Sequence, residues 1–194
     1  MRSEQPPPQI ISPKGIESAE AFGRATVWKC YPWAPDWFAD ARREAGERGR
    51  AARRREILFA ACLAESYLLE FTLAAVGVDG LPTYFPAAAR RGAYDKWRDV
   101  PKKLWEDRRL SFVPDFGGKH GEDWIRLLDF RDGLIHASAG RPATDPAPAT
   151  HPGPVPSPED LDALPQGWAV GVVVERIGRL HAAAGTPPPP WLIP

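Results

Sequence analysis

The stretch from residue 57 to 76, ILFAACLAESYLLEFTLAAV, decides the fold. Ile57, Ala61, Ala64, Leu68, Phe71 and Ala75 form one stripe at alternating spacings of four and three. Leu58, Cys62, Leu69 and Val76 belong to a second stripe, shared with Glu65 and Thr72, and Phe59, Leu63, Ser66, Glu70 and Leu73 make a third. A helix that is apolar on nearly every side belongs at the centre of a bundle. On such a helix Glu65 and Glu70 each need a partner, because burying a carboxylate without one is costly.

Outward from this segment, Pro35-Asp36 supplies a stop followed by a cap, so the spacing predicts a helix from Asp36 or Trp37 to Val76. Gly77 would end it, and Gly46 and Gly49 are its weak points. Further helices are expected over residues 87–110, interrupted near Pro101, then over 122–140 and 166–184. No segment shows strand alternation with a partner and no internal repeat is present, so the class is all-α.

Proline marks the boundaries. There are 23 in 194 residues, about 12% where ~5% is usual, and most fall in residues 6–13, 142–165 and 187–194. Proline lacks the amide donor and clashes with the preceding turn, so these stretches are not helix interior. The expected organisation is an N-terminal arm (1–36) packing through Trp28, Tyr31 and Trp33, a helical domain (37–186) carrying a proline-rich insert (142–165), and a proline-rich tail (187–194) read as a disordered terminus.

The 25 basic residues balance the 25 acidic ones, so no global field favours nucleic acid or a lipid surface. Two cysteines, Cys30 and Cys62, make neither a disulfide scaffold nor a four-cysteine zinc module, and Cys62 falls on a core stripe. A reduced cytoplasmic setting is expected. No uninterrupted apolar run of about 18–20 residues suggests a membrane span, and residues 1–9 have no signal-peptide core.

Phosphate-cradling glycine loops, nucleophile elbows, HExxH and paired CxxC are all missing, and His120, His136, His151 and His181 are scattered, so no metal and no cofactor is expected. The helix over 122–140 is where chemistry concentrates. Trp124, Leu127, Arg131, Leu134 and Ser138 share a stripe, so Arg131 interrupts an apolar row where a guanidinium needs an anionic partner. Asp132 and His136 are four apart and therefore neighbours on the helix surface, where the carboxylate would fix the imidazole. Gly133, Ala137 and Gly140 form a small-residue edge that admits a second helix. A surface ion network that merely stabilises the fold is the competing reading of Arg131 and Asp132.

Residues 42–55, RREAGERGRAARRR, hold seven arginines against Glu44 and Glu47. On a helix, Arg50, Arg53, Arg54 and Arg55 would form a positive stripe suited to an RNA backbone. Ion pairing of the same arginines with Glu44, Glu47 and Glu56 is an equal alternative.

The string from Arg131 to His136, RDGLIH, resembles the Rx4–6H motif of HEPN domains, in which Asn or Asp usually follows the arginine. Residues 60–74 (ACLAESYLLEFTLAA) resemble that family's first core helix with its acidic position, and residues 94–101 (YDKWRDVP) a segment of small bacterial members. The likeness covers residues 50–185. Arg176 and His181 repeat the spacing, yet Ile177 departs from the Asn/Asp rule and His181 aligns with Val170, Val174, Ile177 and Ala184 as a packing residue.

The resemblance implies an up-and-down helical bundle and a homodimer joined through the Arg131–His136 helix. It also implies a metal-independent endoribonuclease in which the 2′-hydroxyl attacks its own phosphodiester, leaving a 2′,3′-cyclic phosphate. His136 would then move the proton, Arg131 would stabilise the phosphorane charge, and Asp132 would orient His136. Glu70, and after it Glu65, would hold Arg131 or His136. Similar proteins serve as toxins of toxin–antitoxin pairs or as phage-defence effectors, which implies RNA as substrate and an antitoxin or defence protein as partner. Others are non-catalytic interaction domains with the same fold.

Overall fold

The computed structural model describes residues 32–86, 92–115, 117–138 and 157–192, with the side chains of 136–138 outside that description. These residues are helical without any strand, so the all-α class is what the structure shows. The helices are α1 (Ala34–Gly46), α2 (Arg50–Tyr84), α3 (Ala93–Glu106), α4 (Gly118–Ser138), α5 (Pro158–Asp162) and α6 (Trp168–Ala184). A 3-10 turn, Pro190–Leu192, follows.

α2 is the axis, and α1, α3, α4, α5 and α6 all pack against it. By length and composition alone α2 could cross a membrane, contrary to the sequence expectation; here five helices pack against it and 44% of its most apolar stretch is buried. Ile57, Leu63 and Leu68 of α2 are fully buried against Trp97 and Leu104 of α3, Trp124 and Leu127 of α4, and Val173, Ile177 and Leu180 of α6. Each such side chain contributes about 1.5–3 kcal/mol relative to exposure, which makes this layer the main source of cohesion.

Several boundaries differ from the sequence reading. The helix expected from 36 or 37 to 76 is two helices. Gly49 sits at φ +96°, a conformation side chains resist, and the short link there folds α1 back along α2. Gly77 (φ +74°) kinks α2 instead of ending it, and helical turns resume as far as Tyr84. α1 begins at Ala34 rather than Asp36. Pro101 lies inside α3 without interrupting it, its ring buried with Val100 and Leu104.

Two proline-rich stretches are more ordered than the sequence suggests. Residues 157–165 of the insert belong to the body: Ser157 and Asp160 form a capping box for α5, and Leu161 and Leu164 are buried. The tail is ordered through residue 192. Leu192 is buried, and Trp191 stands 5.6 Å from Phe38 and 5.8 Å from Tyr67, ring centre to ring centre. Two aromatic contacts and a buried leucine offset the entropy that argues for a loose terminus. Of the arm, only residues 32–36 are described. Trp33 is exposed, Trp37 just beyond stacks on Phe59, and Trp28 and Tyr31 lie outside the described residues.

Candidate functional site

α2, α3 and α4 bring one charged cluster together on the flank of the bundle. Arg131 of α4 donates through Nη2 to Glu65 Oε1 (2.6 Å) and through Nη1 to Asp132 Oδ1 (2.7 Å). Lys96 of α3 donates to the other Glu65 oxygen at 3.3 Å. Arg131 and Glu65 are 27% and 28% exposed, so the pair is sheltered from water on one side while staying open to a ligand on the other. Burial alone would lower the Arg131 pKa. The Asp132 hydrogen bond and the Glu65 charge outweigh it and raise the value, so the guanidinium carries a permanent positive charge.

Glu65 and Glu70, one turn and a half apart on α2, have separate tasks. Glu65 meets Arg131, whereas Glu70 Oε1 accepts the Ala34 amide at 3.0 Å and so caps α1 from outside. Glu70, expected to hold Arg131 or His136, therefore stands away from the Arg131 cluster. Its carboxyl pKa is raised by desolvation, which the amides of Ala34 and Trp33 only partly oppose. Asp132, expected to orient His136, accepts from Arg131. His136 lies on α4 five residues after Arg131, and its side chain is outside the described residues.

Cys62 is exposed, not part of the core as expected, and lies near enough to Glu65 and Arg131 to feel both charges. Desolvation and the neighbouring Glu65 charge raise its thiol pKa, with Arg131 opposing them. The thiolate is thus disfavoured where a nucleophile would need it.

The basic run is largely ion-paired. Arg50 binds Asp162 bidentately, Arg53 donates to Glu56 at 2.5 Å, Arg55 donates to Glu44 at 2.8 Å, and Arg54 is exposed. Three of the four arginines expected on RNA thus meet carboxylates of their own chain. Glu56 was legible only as one of these pairs, but it is fully buried, and its Oε1 accepts the amides of Ala169 (3.0 Å) and Val170 (3.5 Å) at the start of α6. No local signal marks that role, since the two ends are 113 residues apart. Lys96 was likewise missed: only the packing of α3 on α2 brings it to Glu65.

His181 is buried as expected of a packing residue, and is hydrogen bonded as well. Nε2 meets the Tyr67 hydroxyl, and Nδ1 lies 2.9 Å from Thr186 Oγ1. A neutral imidazole satisfies both contacts, one nitrogen donating and the other accepting. Among the described residues no three His, Cys, Asp or Glu side chains cluster to hold a metal.

Comparison of the chain with protein-family models, with curated proteins and with solved structures gives no match.

Proposed function

We propose that the chain is a metal-independent endoribonuclease of HEPN type acting as a homodimer, with Arg131 and His136 of both copies lining one cleft. One observation carries the reading most: a half-buried, permanently charged Arg131, fixed by Glu65 and Asp132, stands on α4 five residues before His136. A guanidinium held by two carboxylates is oriented before substrate arrives, which lowers the ordering needed to meet a phosphodiester. In the proposed reaction a 2′-oxygen attacks the adjacent phosphorus, Arg131 donates to the equatorial oxygens, and His136 moves a proton as the 5′-oxygen leaves. Ile125 and Ile135, exposed on α4, suit a helix that meets its own copy. A toxin or phage-defence role, with an antitoxin or defence protein as partner, goes with this reading.

The second reading is a non-catalytic dimeric interaction domain of HEPN-like fold. It is favoured by the pairing of Arg50, Arg53 and Arg55 with Asp162, Glu56 and Glu44, which leaves less positive surface for an RNA strand.

Incubation of the purified chain with total RNA in EDTA separates the two. The ribonuclease reading expects fragments with 2′,3′-cyclic phosphate ends, lost on Arg131→Ala and on His136→Ala. Intact RNA with a folded wild-type dimer would move the assignment to the interaction domain.

A further inference from the structure

α3 ends in a turn whose sequence departs from the usual chemistry of a helix end. The Arg109 amide donates to the Leu104 carbonyl at 2.7 Å and the Arg108 amide to that of Trp105 at 2.9 Å, the paired bonds of a Schellman motif. The left-handed position of that motif is usually filled by glycine. Here it is Arg108, at φ +60°, and among the described residues it is the one non-glycine with positive φ. Its side chain is exposed and makes no ion pair among the described residues, so no local contact accounts for an arginine there. A side chain kept where backbone strain opposes it points to a task outside the fold.

The surroundings are an exposed display on a fixed base. Trp105 is 45% exposed and Phe112 is 47% exposed, one before and one after the pair Arg108 and Arg109. Leu110 is buried, and Ser111 donates to the Ala183 carbonyl at the end of α6 through its amide and its hydroxyl, each at 2.7 Å. Residues 105–112 are thereby pinned to the bundle, and even fully extended they would span no more than about 25 Å.

The charge of this end of α3 is one-sided. Lys102, Lys103, Arg108 and Arg109 stand against Glu106 and Asp107 alone. Both carboxylates are engaged: Glu106 lies 4.0 Å from Lys102, while Asp107 lies 3.4 Å from Lys103 and accepts the Tyr84 hydroxyl. Arg109 also feels Asp107 and, after Tyr84 and Lys103, helps to lower its pKa. The next carboxylate along the chain, Asp115, accepts the Gly117 amide. Arg108 is the cation left over.

Exposed rings on either side of cations suit one class of ligand. A single strand of nucleic acid offers bases that stack on aromatic faces and phosphates that meet arginine, and a duplex keeps its bases inside. An acidic peptide would use the cations and leave the rings idle. We propose that residues 105–112 bind single-stranded nucleic acid, bases stacking on Trp105 and Phe112 and Arg108 meeting the phosphate between them. Trp105 lies nine positions after Lys96, about 14 Å along α3 from the Glu65–Arg131 cluster, so this site is distinct from the one proposed for catalysis and stands without it.

Fluorescence anisotropy of the full chain in EDTA tests this, with a labelled thymidine 12-mer of DNA, a 2′-O-methyl uridine 12-mer, a DNA duplex of equal length and a glutamate 12-mer as separate probes. Neither single strand has a free 2′-hydroxyl inside it, so the ribonuclease reading has no bearing on the result. At 50 mM salt the thymidine strand should bind with Kd below about 100 μM, and duplex and peptide at least fivefold more weakly. Trp105→Ala, an exposed change, should weaken the strand at least fivefold. Arg108→Gly gives the sharper signature: it should raise the urea midpoint by relieving the backbone, and yet reduce the salt slope of strand binding by about 0.7, one phosphate contact. Tighter binding of the uridine strand would identify RNA as the ligand, and equal or weaker binding a site indifferent to the sugar or made for DNA. The proposal is overturned if neither strand binds at 100 μM, if duplex or peptide binds as tightly as the strand, or if either folded variant binds as wild type does.

Discussion

Arg131 and Glu65 show how far a single pair can be pressed for stability. Both side chains keep about a quarter of their surface in water, so their attraction is screened and contributes little more than a surface pair, on the order of 1 kcal/mol. Arg131→Ala should therefore lower unfolding stability by no more than about 1 kcal/mol in a urea titration and, on the ribonuclease reading, abolish RNA cleavage. Arg131→Lys separates charge from geometry: it keeps the cation but loses the fork that reaches Glu65 and Asp132 together. On the ribonuclease reading it should recover less than a tenth of the wild-type rate, and full recovery by lysine would contradict a bidentate role. Which glutamate meets Arg131 was not legible in the sequence. Residues 65 and 70 are five apart, about 140° round a helix, so they face different neighbours, and only tertiary packing decides that α4 lies on one side and α1 on the other. Arg131 itself was legible, because a guanidinium in an apolar row announces a partner whatever that partner turns out to be.

At the scale of elements, α6 depends on a residue of α2. Glu56 lies fully buried with one oxygen on two α6 amides and the other on Arg53, so it satisfies a helix start and a cation at once. Removing it leaves buried donors without an acceptor and Arg53 without its counter-charge. Glu56→Ala should cost about 3 kcal/mol, within the range for breaking a buried pair and well above an exposed cap, read as a shift in urea midpoint with an unchanged slope. Gly77 makes a smaller claim. Its φ of +74° lies where side chains are strained, and a Cβ there meets nothing, so Gly77→Ala tests the backbone alone. We expect a loss of about 1 kcal/mol, with no change in the spectrum of the folded chain. The longer helices were readable because their apolar periods run for three turns or more, whereas the five residues of α5 carry too short a period to read. Their joints were not, since a glycine reads alike as a stop, a kink or a bare patch. Gly49 turns out to be the joint between α1 and α2, and Gly77 a kink within α2.

Across the whole molecule, the C-terminal tail closes the bundle over a buried histidine, and this sets how the fold responds to acid. His181 accepts or donates to Tyr67 and Thr186, while Phe71 and Tyr67 pack on its ring and Trp191 packs on Tyr67. Desolvation lowers its pKa below the usual 6.5, more than hydrogen bonds at Thr186 and Pro187 restore it. The unfolded chain therefore takes up this proton at a higher pH than the folded one. Stability from His181 is complete above about pH 6.5 and is lost as pH falls from there through the depressed folded value. Glu70, on the same helix as Tyr67, has the opposite sign. Its raised pKa favours the protonated carboxyl, so its share is complete below about pH 4.5 and is lost as pH rises through the folded value. The two groups pull against each other between those limits, and a wild-type curve alone would blur them. Glu70→Gln keeps an acceptor for the Ala34 amide and removes the titration, leaving His181 as the acid-sensitive group of this region. In that background, urea midpoints should fall between pH 7.5 and 5, and adding His181→Gln should flatten the fall. A midpoint that drops equally with and without His181 would place the acid response elsewhere. Trp191→Ala should lower stability at both pH values and weaken the pH dependence as well, because water admitted beside Tyr67 relieves the desolvation that depresses His181.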